Sequence, residues 1–399
     1  MPSDSPMMLF DDALRIALEN ARTTGTERVP LSEAPRRVLA EEVIADRDVP
    51  PFDKSAMDGF ACRRVDLGQE LAVIETVPAG VMPSKTVGPG ECARIMTGAP
   101  VPDGADTVFM VEKSESLGDE RVRFTGSEFR NNIIPRAEDI TTGDHLLVPG
   151  LLLRPDHIAV LATAGVPEPL VGRRPRVGVI ATGDELVEPH QFPGPSQIRN
   201  SNSHQLVAQV RSAGGIPTYF GIARDSRDSL DAAFSTAAEE SDVILFSGGV
   251  SQGDFDFVPD VMRAHGVEIL FDRVRVKPGK PSTLGIGEDL ICFGMPGNPV
   301  STFVIFEVLV RPTLLAMMGH TWAPQEWTAR LRAPISRHRD ERDEWLPVVR
   351  TDDGGVLPVS YHGSAHFLAL ARADGLTMVP AGIRQIDEGT DVRVRPLPT

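Results

Sequence analysis

The spacing of apolar residues changes several times along the chain, and each change predicts a different architecture. Leu9, Ala13, Leu14, Ala17 and Leu18 recur at helical spacing, which predicts an amphipathic helix over residues 7–22. A short helix over 34–42 follows. The run 46–52 is then extended, because Pro50 and Pro51 disfavour helix at themselves and at the residue before. From 60 to 139, short β-type runs (71–77, 93–96, 107–112 and 121–124) alternate with Gly and Pro turns, the pattern of a small, mostly β domain. A helix over 156–164 leads into a third region where strand-like and helix-like runs alternate. Strands 177–181, 218–222, 243–246, 269–276 and 290–293 are interleaved with helices 203–213, 228–240, 257–265 and 300–317. That alternation predicts a parallel or mixed sheet covered by helices on both faces. Beyond Trp322 and Pro324 the runs shorten again, predicting a small β-barrel-like domain.

Composition narrows the picture. With 399 residues the chain has room for two to four domains, at roughly 100–200 residues each. A hydrophobic content of 41% is enough to build their cores. The most apolar segment, 300–318, contains Glu307, Arg311 and Pro312; a membrane span needs about 20 mostly apolar residues, so a buried core helix is expected. Forty basic against 56 acidic residues give a net charge of −16, which argues against nucleic-acid or anionic-membrane partners. An anionic small molecule would need a local pocket of Lys, Arg and backbone N–H groups. Cys62, Cys92 and Cys292 are far apart and form no C-x-x-C pair, so neither a disulfide scaffold nor a zinc site is supported. Asp4, Asp11 and Asp12 stand where a signal peptide would carry basic residues, and a cytoplasmic protein with reduced thiols is expected.

Candidate chemistry gathers where the strands of the third region end. The first ends in Thr182, Gly183, Asp184 and Glu185, and the second in Arg224 and Asp225. The third ends in Ser247, Gly248, Gly249, Val250, Ser251 and on to Asp254 and Asp256; the fourth in Lys277, Pro278, Gly279, Lys280 and Pro281; the fifth in Pro296, Gly297, Asn298 and Pro299. In a parallel sheet, five such loops meet on one edge, where ligands bind. The glycines let backbone approach a ligand and aim N–H groups at an anion. Asn298 with Pro299 is a helix start whose positive end points the same way. Two lysines and several carboxylates around a Gly loop suit a phosphorylated ligand bridged by Mg2+. Other polar features have plainer readings. The run from Arg330 to Arg342 is interleaved with Asp340, Glu341, Asp343 and Glu344 and predicts a solvated surface. Cys292, in an apolar strand, predicts a buried, inert thiol. His362 and His366 have no third ligand nearby and predict no metal site.

Together these segments resemble the MoeA family of molybdopterin molybdenumtransferases, which includes the E domain of gephyrin. The resemblance runs over nearly the whole chain. It rests on Pro51-Phe-Asp-Lys-Ser-Ala-Met-Asp-Gly-Phe60, Ile95-Met-Thr-Gly-Ala-Pro-Val-Pro-Asp-Gly-Ala-Asp106, Glu138-Asp139, Thr182-Gly-Asp-Glu-Leu186, Ser247-Gly-Gly-Val-Ser251, Lys277-Pro-Gly-Lys-Pro281 and Pro296-Gly-Asn-Pro-Val-Ser301. It implies an elongated α/β plus β subunit. A discontinuous linker domain would come from 1–46 and 140–173, a β-rich domain from 47–139, a three-layer α/β molybdopterin-binding domain from 174–320, and the barrel-like domain from 321–399. It also implies a homodimer whose site lies between the α/β domain of one subunit and the β-rich domain of the other. The implied reaction inserts molybdenum from molybdate into adenylylated molybdopterin, with Mg2+-dependent release of AMP. Carried over, Asp58, Asp139, Asp225, Asp256, Lys277 and Lys280 would be catalytic. Thr97, Thr182, Gly183, Asp184, Glu185, Ser247, Gly248, Gly249, Ser251, Pro296 and Asn298 would bind substrate. Glu185, Asp225, Asp254 and Asp256 would hold metal. A molybdopterin adenylyltransferase and apo-molybdoenzymes are the implied protein partners. The chain departs from the family pattern at Gln252, where a small apolar residue is usual, and at Ala137, where glycine commonly precedes Glu-Asp. Two other readings compete. An adenylyltransferase would continue the Gly-Gly loop with Thr-Gly, where this chain has Val250 and Ser251. A non-catalytic scaffold would have no need to keep Asp58, Asp225, Asp256, Lys277 and Lys280 together.

Overall fold

The structure, a computed structural model, describes residues 7–127, 130–250, 257–359, 363 and 366–397. The chain forms two compact units. One comprises Met1–Glu41, Pro149–Pro155 and Glu168–Thr399; the other comprises Glu42–Val148 and Asp156–Pro167. The segments expected to make a linker domain, 1–46 and 140–173, divide between these units.

The larger unit is built on a six-stranded sheet. Its order is Ile216–Ala223, Arg176–Thr182, Val243–Ser247, Ile291–Met295, Thr283–Ile286, Glu268–Phe271. The first four strands are mutually parallel, Thr283–Ile286 runs antiparallel to them, and Glu268–Phe271 pairs antiparallel with Thr283–Ile286. Side chains alternate between two cores, as a sheet buried on both faces requires. Val177, Val179, Val243, Leu245, Ile291 and Phe293 enter one core, and Ile180, Ile244, Phe246 and Cys292 enter the other. The first core is closed by the amphipathic N-terminal helix Phe10–Glu19. Phe10, Ala13 and Ala17 are its buried stripe, and Leu9, counted in the predicted stripe, is 48% exposed. Helices Asn202–Ser212, Arg227–Glu240 and Val258–Ala264 match their predicted positions closely. Ser226 starts the second of these by accepting the Ser229 N–H at its hydroxyl, which satisfies one of the orphan donors of the first turn.

The apolar segment after Pro299 is helical through Met317, and most of it is buried, as expected of a core helix. It is not uniform: Phe306–Val310 is a π-helical turn between Pro299–Ile305 and Arg311–Met317. A second sheet of the same unit runs in the order Val276–Lys277, Asp343–Arg350, Gly375–Val379, Asp391–Pro396, Trp327–Arg330, with Val356–Pro358 attached to Asp343–Arg350.

Two expectations need correction. The predicted strand 269–276 is two elements. It breaks at Asp272 and Arg273, after which Val276–Lys277 leaves the α/β sheet and pairs with Asp343 and Glu344. Residues 34–42 form no helix. Only a 3-10 turn, Leu31–Glu33, precedes them; Arg36 takes a left-handed φ of 64°, and Val38 and Leu39 bridge to Leu152 and Val171.

The smaller unit is a six-stranded sheet in the order Thr107–Met110, Gly59–Cys62, Glu91–Ile95, Glu70–Val77, Arg121–Phe124, Ser114–Gly118. Its two faces carry separate cores, Ala61, Ala93, Ile95 and Val108 on one, and Phe60, Leu71, Phe109 and Val122 on the other. Gly59 is where two strands meet most closely. A Cβ there would sit 1.9 Å from the Phe109 carbonyl oxygen, so only glycine fits that register.

Candidate functional site

Four parallel strands deliver their C-terminal loops to one sheet edge, and a cavity of about 270 Å3 lies there. Thr182, Gly183 and Glu185 line it from the first loop, Asp225 from the second, and Ser247, Gly248, Gly249 and Val250 from the third. Gly248 and Gly249 have φ of 100° and 66°, and a Cβ on either would lie 2.9 Å from the Thr182 hydroxyl oxygen. The loop therefore has room for backbone only. The Gly248 N–H is donated to the Met295 carbonyl at 3.1 Å, which ties the loop to the neighbouring strand. Asp225 accepts the Asp184 N–H at 3.2 Å, so its carboxylate is held at the rim. Asp184 itself faces outward, 3.8 Å from Arg224. Ser251, Asp254 and Asp256, the continuation of the third loop, lie outside the described residues.

The sequence reading missed the opposite wall of this cavity, Asn200, Ser201 and Asn202. Asn202 donates to the Gly297 carbonyl at 2.7 Å, which joins this wall to the turn before Pro299. Asn200 donates to the Tyr219 hydroxyl at 2.8 Å, and Tyr219 donates to Glu188 at 2.7 Å, so a half-buried chain of polar groups braces the wall from behind. Burial and the neighbouring Glu188 carboxylate push the Tyr219 hydroxyl above its ordinary pKa and keep it a donor. The Thr182 hydroxyl and the Asn202 side-chain oxygen are buried with no hydrogen-bond partner among the described residues. A signal was available: Ser201, Asn202 and Ser203 are three polar residues at the start of a predicted helix.

The lysines belong to a second cavity, of about 930 Å3, and the reason is the broken strand described above. Because Val276–Lys277 pairs with the second sheet, Lys277 and Lys280 open between that sheet and the start of the Pro299 helix. Asn298 and Ser301 line this second cavity, whereas Gly297 and Pro299 line the first, so one short turn forms part of both walls. Asn298 occupies the N-cap position through its backbone, and its side chain makes no capping bond. Pro296 is buried beside it, and its carbonyl accepts the Thr302 hydroxyl at 2.5 Å.

The segment expected to be solvated surface supplies the rest of this wall. Arg337, His338, Arg339 and Arg342 line the cavity, and the Arg337 side chain is only 4% exposed. Arg337 donates to the carbonyls of Ile383 at 2.5 Å, Arg342 at 2.8 Å and Pro380, and Arg342 donates to the Val276 carbonyl at 3.2 Å. The acid on this wall is Glu344, buried, 2.7 Å from the Lys277 ammonium and 3.6 Å from Arg337. Five side chains carrying fixed positive charge against one carboxylate make a cationic cavity on a chain of net charge −16. An oxyanion is the ligand such a lining attracts.

In the smaller unit, Asp58 and Thr97 lie together. Asp58 accepts both the Thr97 N–H, at 2.6 Å, and the Thr97 hydroxyl, at 2.7 Å. These two bonds hold the Asp58 carboxyl below its ordinary pKa. Asp139 is exposed, and its N–H is donated to the Val49 carbonyl at 3.0 Å. Ala137, the family's glycine position, has a φ of 60°. That is a left-handed conformation, and it explains why glycine suits the site.

The chain matches three family models in order. They are the MoeA N-terminal region (domain I and II) over residues 8–165, a probable molybdopterin binding domain over 178–316, and the MoeA C-terminal region (domain IV) over 328–397. The chain belongs to the MoeA family. It is 34% identical to the molybdopterin molybdenumtransferase of Bacillus subtilis (strain 168), covering 96% of this chain and 93% of that protein. It is 35% identical to the enzyme of the same name from Staphylococcus aureus (strain MRSA252), covering 96% and 94%. Its fold superimposes on the crystal structure of the molybdopterin biosynthesis moeA protein from Pyrococcus horikoshii OT3 with a TM-score of 0.83 at 30% identity, covering 98% of this chain and 100% of that one.

In this MoeA chain, the match named as molybdopterin-binding spans the α/β sheet and its Gly-rich cavity. Among the described residues no three His, Cys, Asp or Glu side chains converge to hold a metal. The described carboxylates at the first cavity are Glu185 and Asp225. Two hard oxygen donors fit Mg2+, which binds through one or two carboxylates together with substrate phosphates. Cys292 plays no part in this chemistry: it is fully buried and desolvation pushes its thiol far up, so it stays protonated.

Proposed function

We propose that this protein is a molybdopterin molybdenumtransferase, which inserts molybdenum from molybdate into adenylylated molybdopterin and releases AMP. The observation that carries the reading is the shared 297–299 turn. It joins a Gly-rich, carboxylate-bearing cavity at parallel strand ends to a cationic cavity, so a phosphorylated ligand and an oxyanion can be held side by side. Ser247, Gly249, Thr182 and the Asn200–Asn202 wall would bind the molybdopterin end. Glu185 and Asp225, together with Asp254 or Asp256 of the neighbouring loop, would hold Mg2+, which when bound neutralises phosphate charge. Lys277 and Lys280 would hold molybdate, with Arg339 and Arg342 adding positive charge. The adenylyltransferase reading is not favoured, because the named relatives share the N-terminal and C-terminal regions as well as the α/β domain.

The protein would act in the cytoplasm as a homodimer, with Asp58, Thr97 and Asp139 completing the site of the other protomer. Asp58 is suited to that role, being exposed, ionised and fixed by two bonds to Thr97. A molybdopterin adenylyltransferase would supply its substrate and apo-molybdoenzymes would receive its product. The test is AMP release from adenylylated molybdopterin, with and without molybdate and Mg2+. Release coupled to molybdate, with product that activates a cofactor-free molybdoenzyme, is expected. Tight ligand binding without release under any condition would reject the reading in favour of a scaffold.

A further inference from the structure

Taking the Gly-rich cavity as the site of a phosphorylated ligand, as in the proposed function, we propose that Arg199 binds phosphate oxygens of that ligand and sets the cavity's preference for it. No sequence motif marks this residue. Arg199 lines the cavity and is the one lysine or arginine among its described lining residues, which include the carboxylates of Glu185 and Asp225.

Local structure holds the side chain in place. Ile198–Arg199 pairs in parallel with Leu186–Val187. The Ile198 N–H is donated to the Glu185 carbonyl and the Asn200 N–H to the Val187 carbonyl, both at 2.8 Å, so the backbone is pinned on either side of Arg199. The Arg199 Nε–H is donated to the Gln191 carbonyl at 3.2 Å. Gln191 is itself part of a closed turn. It donates its N–H to the Glu188 carbonyl at 2.9 Å, and its side-chain oxygen accepts the Glu188 N–H at 3.1 Å. Among the described residues that carbonyl is the guanidinium's only partner, and the two Nη groups are left unengaged.

The charges around the cavity say what those free donors meet. An exposed arginine on a chain of net charge −16 is drawn to the nearest carboxylate. Glu185 is joined to the residue before Arg199 by a backbone bond, yet neither Glu185 nor Asp225 is ion-paired to Arg199. Two acids and a cation standing apart around one cavity suit a metal-bound phosphate: carboxylates take Mg2+, and a guanidinium fork takes phosphate oxygens. A helix start adds donors on the same wall. Ser201 and Asn202 line the cavity where helix Asn202–Ser212 begins, and the first-turn N–H groups of a helix carry partial positive charge. Asn202 is 9% exposed, and its side-chain oxygen has no hydrogen-bond partner among the described residues. The wall that carries Arg199 thus keeps an unused acceptor for a hydroxyl or amino group on the organic part of a phosphate ester.

The experiment is titration calorimetry of the full chain with AMP and with adenosine, in Mg2+ at constant ionic strength. The wild type is expected to bind AMP more tightly than adenosine. Arg199→Gln should weaken AMP binding roughly tenfold, the lower end for a charged hydrogen bond, because Arg199 is exposed. Adenosine binding and the unfolding temperature should not change, and Arg199→Lys should recover part of the loss. A wild type that binds AMP no better than adenosine would overturn the proposal together with the function proposed for this cavity. A preference for AMP that survives Arg199→Gln, an equal loss for AMP and adenosine, or a loss that lysine does not relieve would overturn the role of Arg199 alone.

Discussion

Lys277 and Lys280 stand three residues apart in one loop and line one cavity, yet their replacement should have different consequences. The Lys277 ammonium lies 2.7 Å from Glu344, whose side chain is 5% exposed. Among the described residues, Lys277→Ala leaves that carboxylate with Arg337 alone, at 3.6 Å, and Arg337 already donates to three carbonyls. Among the described residues, the second Glu344 oxygen is buried without a hydrogen-bond partner. Removing one partner of a fully buried pair costs about 3–5 kcal/mol. The Lys277 side chain is 44% exposed, so solvent already screens part of the pair, and Arg337 retains part of the compensation. We therefore expect a loss of about 1–2 kcal/mol. That corresponds to a fall of about 1–2 °C in unfolding temperature for a chain of this size, at about 2.1 cal/mol/K of unfolding entropy per residue. Lys280 is exposed, and among the described residues no carboxylate is paired with it, so Lys280→Ala should leave the unfolding temperature unchanged. Both substitutions should raise the molybdate requirement of AMP release, roughly 10- to 100-fold if each lysine contributes one charged hydrogen bond of about 1.5–3 kcal/mol. Differential scanning calorimetry and molybdate titrations of the two variants provide the comparison. Equal unfolding temperatures for the two would refute the role given to Glu344. An unchanged molybdate dependence in both would remove the loop from the oxyanion site.

Three further outcomes follow from single positions. Gly59→Ala places a methyl group 1.9 Å from the Phe109 carbonyl oxygen and should destabilise the smaller unit by about 3 kcal/mol or more, read by urea unfolding; a wild-type midpoint would mean the two strands are not so closely paired. Ala137→Gly should raise stability by about 0.5–1 kcal/mol, because relief of a left-handed cost of about 1–2 kcal/mol exceeds the added freedom of the unfolded glycine; a lower unfolding temperature would contradict the strain. Asp48 is held at a pKa of about 2, below its ordinary 3.8, by the Thr142 hydroxyl and N–H and by Arg136. A depressed folded-state pKa contributes stability above the ordinary value that disappears as pH falls toward the folded one. Asp48→Asn should thus be less stable than the wild type at pH 5, with the gap closing toward pH 2, and a gap independent of pH would reject this account.

Much of this architecture is visible in residue spacing, and the failures have physical causes. Strand–helix alternation from 176 onward predicts the parallel strands because both faces of the sheet are buried, which makes its strands short, nearly continuous apolar runs. Four of the five predicted loops do end parallel strands. The fifth fails because partner choice is not written in a strand's own residues. Asp272 and Arg273 interrupt the apolar run, but only the pairing of Val276 and Lys277 with Asp343 and Glu344 shows that the loop has joined another sheet. The same tertiary pairing hides Arg337. Its neighbours alternate in charge as a solvated face does, while its own guanidinium is sequestered by three carbonyls from distant segments. The helix expected over 34–42 does not form, and Pro35 stands inside that run; the left-handed Arg36 and the bridges of Val38 and Leu39 show that pairing overrides local propensity.

The separation of lysines from carboxylates also bears on how the site works. A single mixed cluster would let Lys277 and Lys280 neutralise Glu185 and Asp225, leaving neither set with net charge for a ligand. Placing the lysines on the second sheet's side of the 297–299 turn keeps the two charges in separate cavities. Under the proposed function, each cavity would then keep an affinity of its own, for a cation at Glu185 and Asp225 and for an anion at Lys277, Lys280 and Arg342. If that separation matters, Asp225→Asn should shift the Mg2+ requirement of AMP release to higher concentration while leaving the molybdate requirement near that of the wild type. Lys280→Ala should do the reverse. Equal shifts of both requirements in both variants would mean that metal and oxyanion share one cluster after all, and the two-cavity description would have to be abandoned.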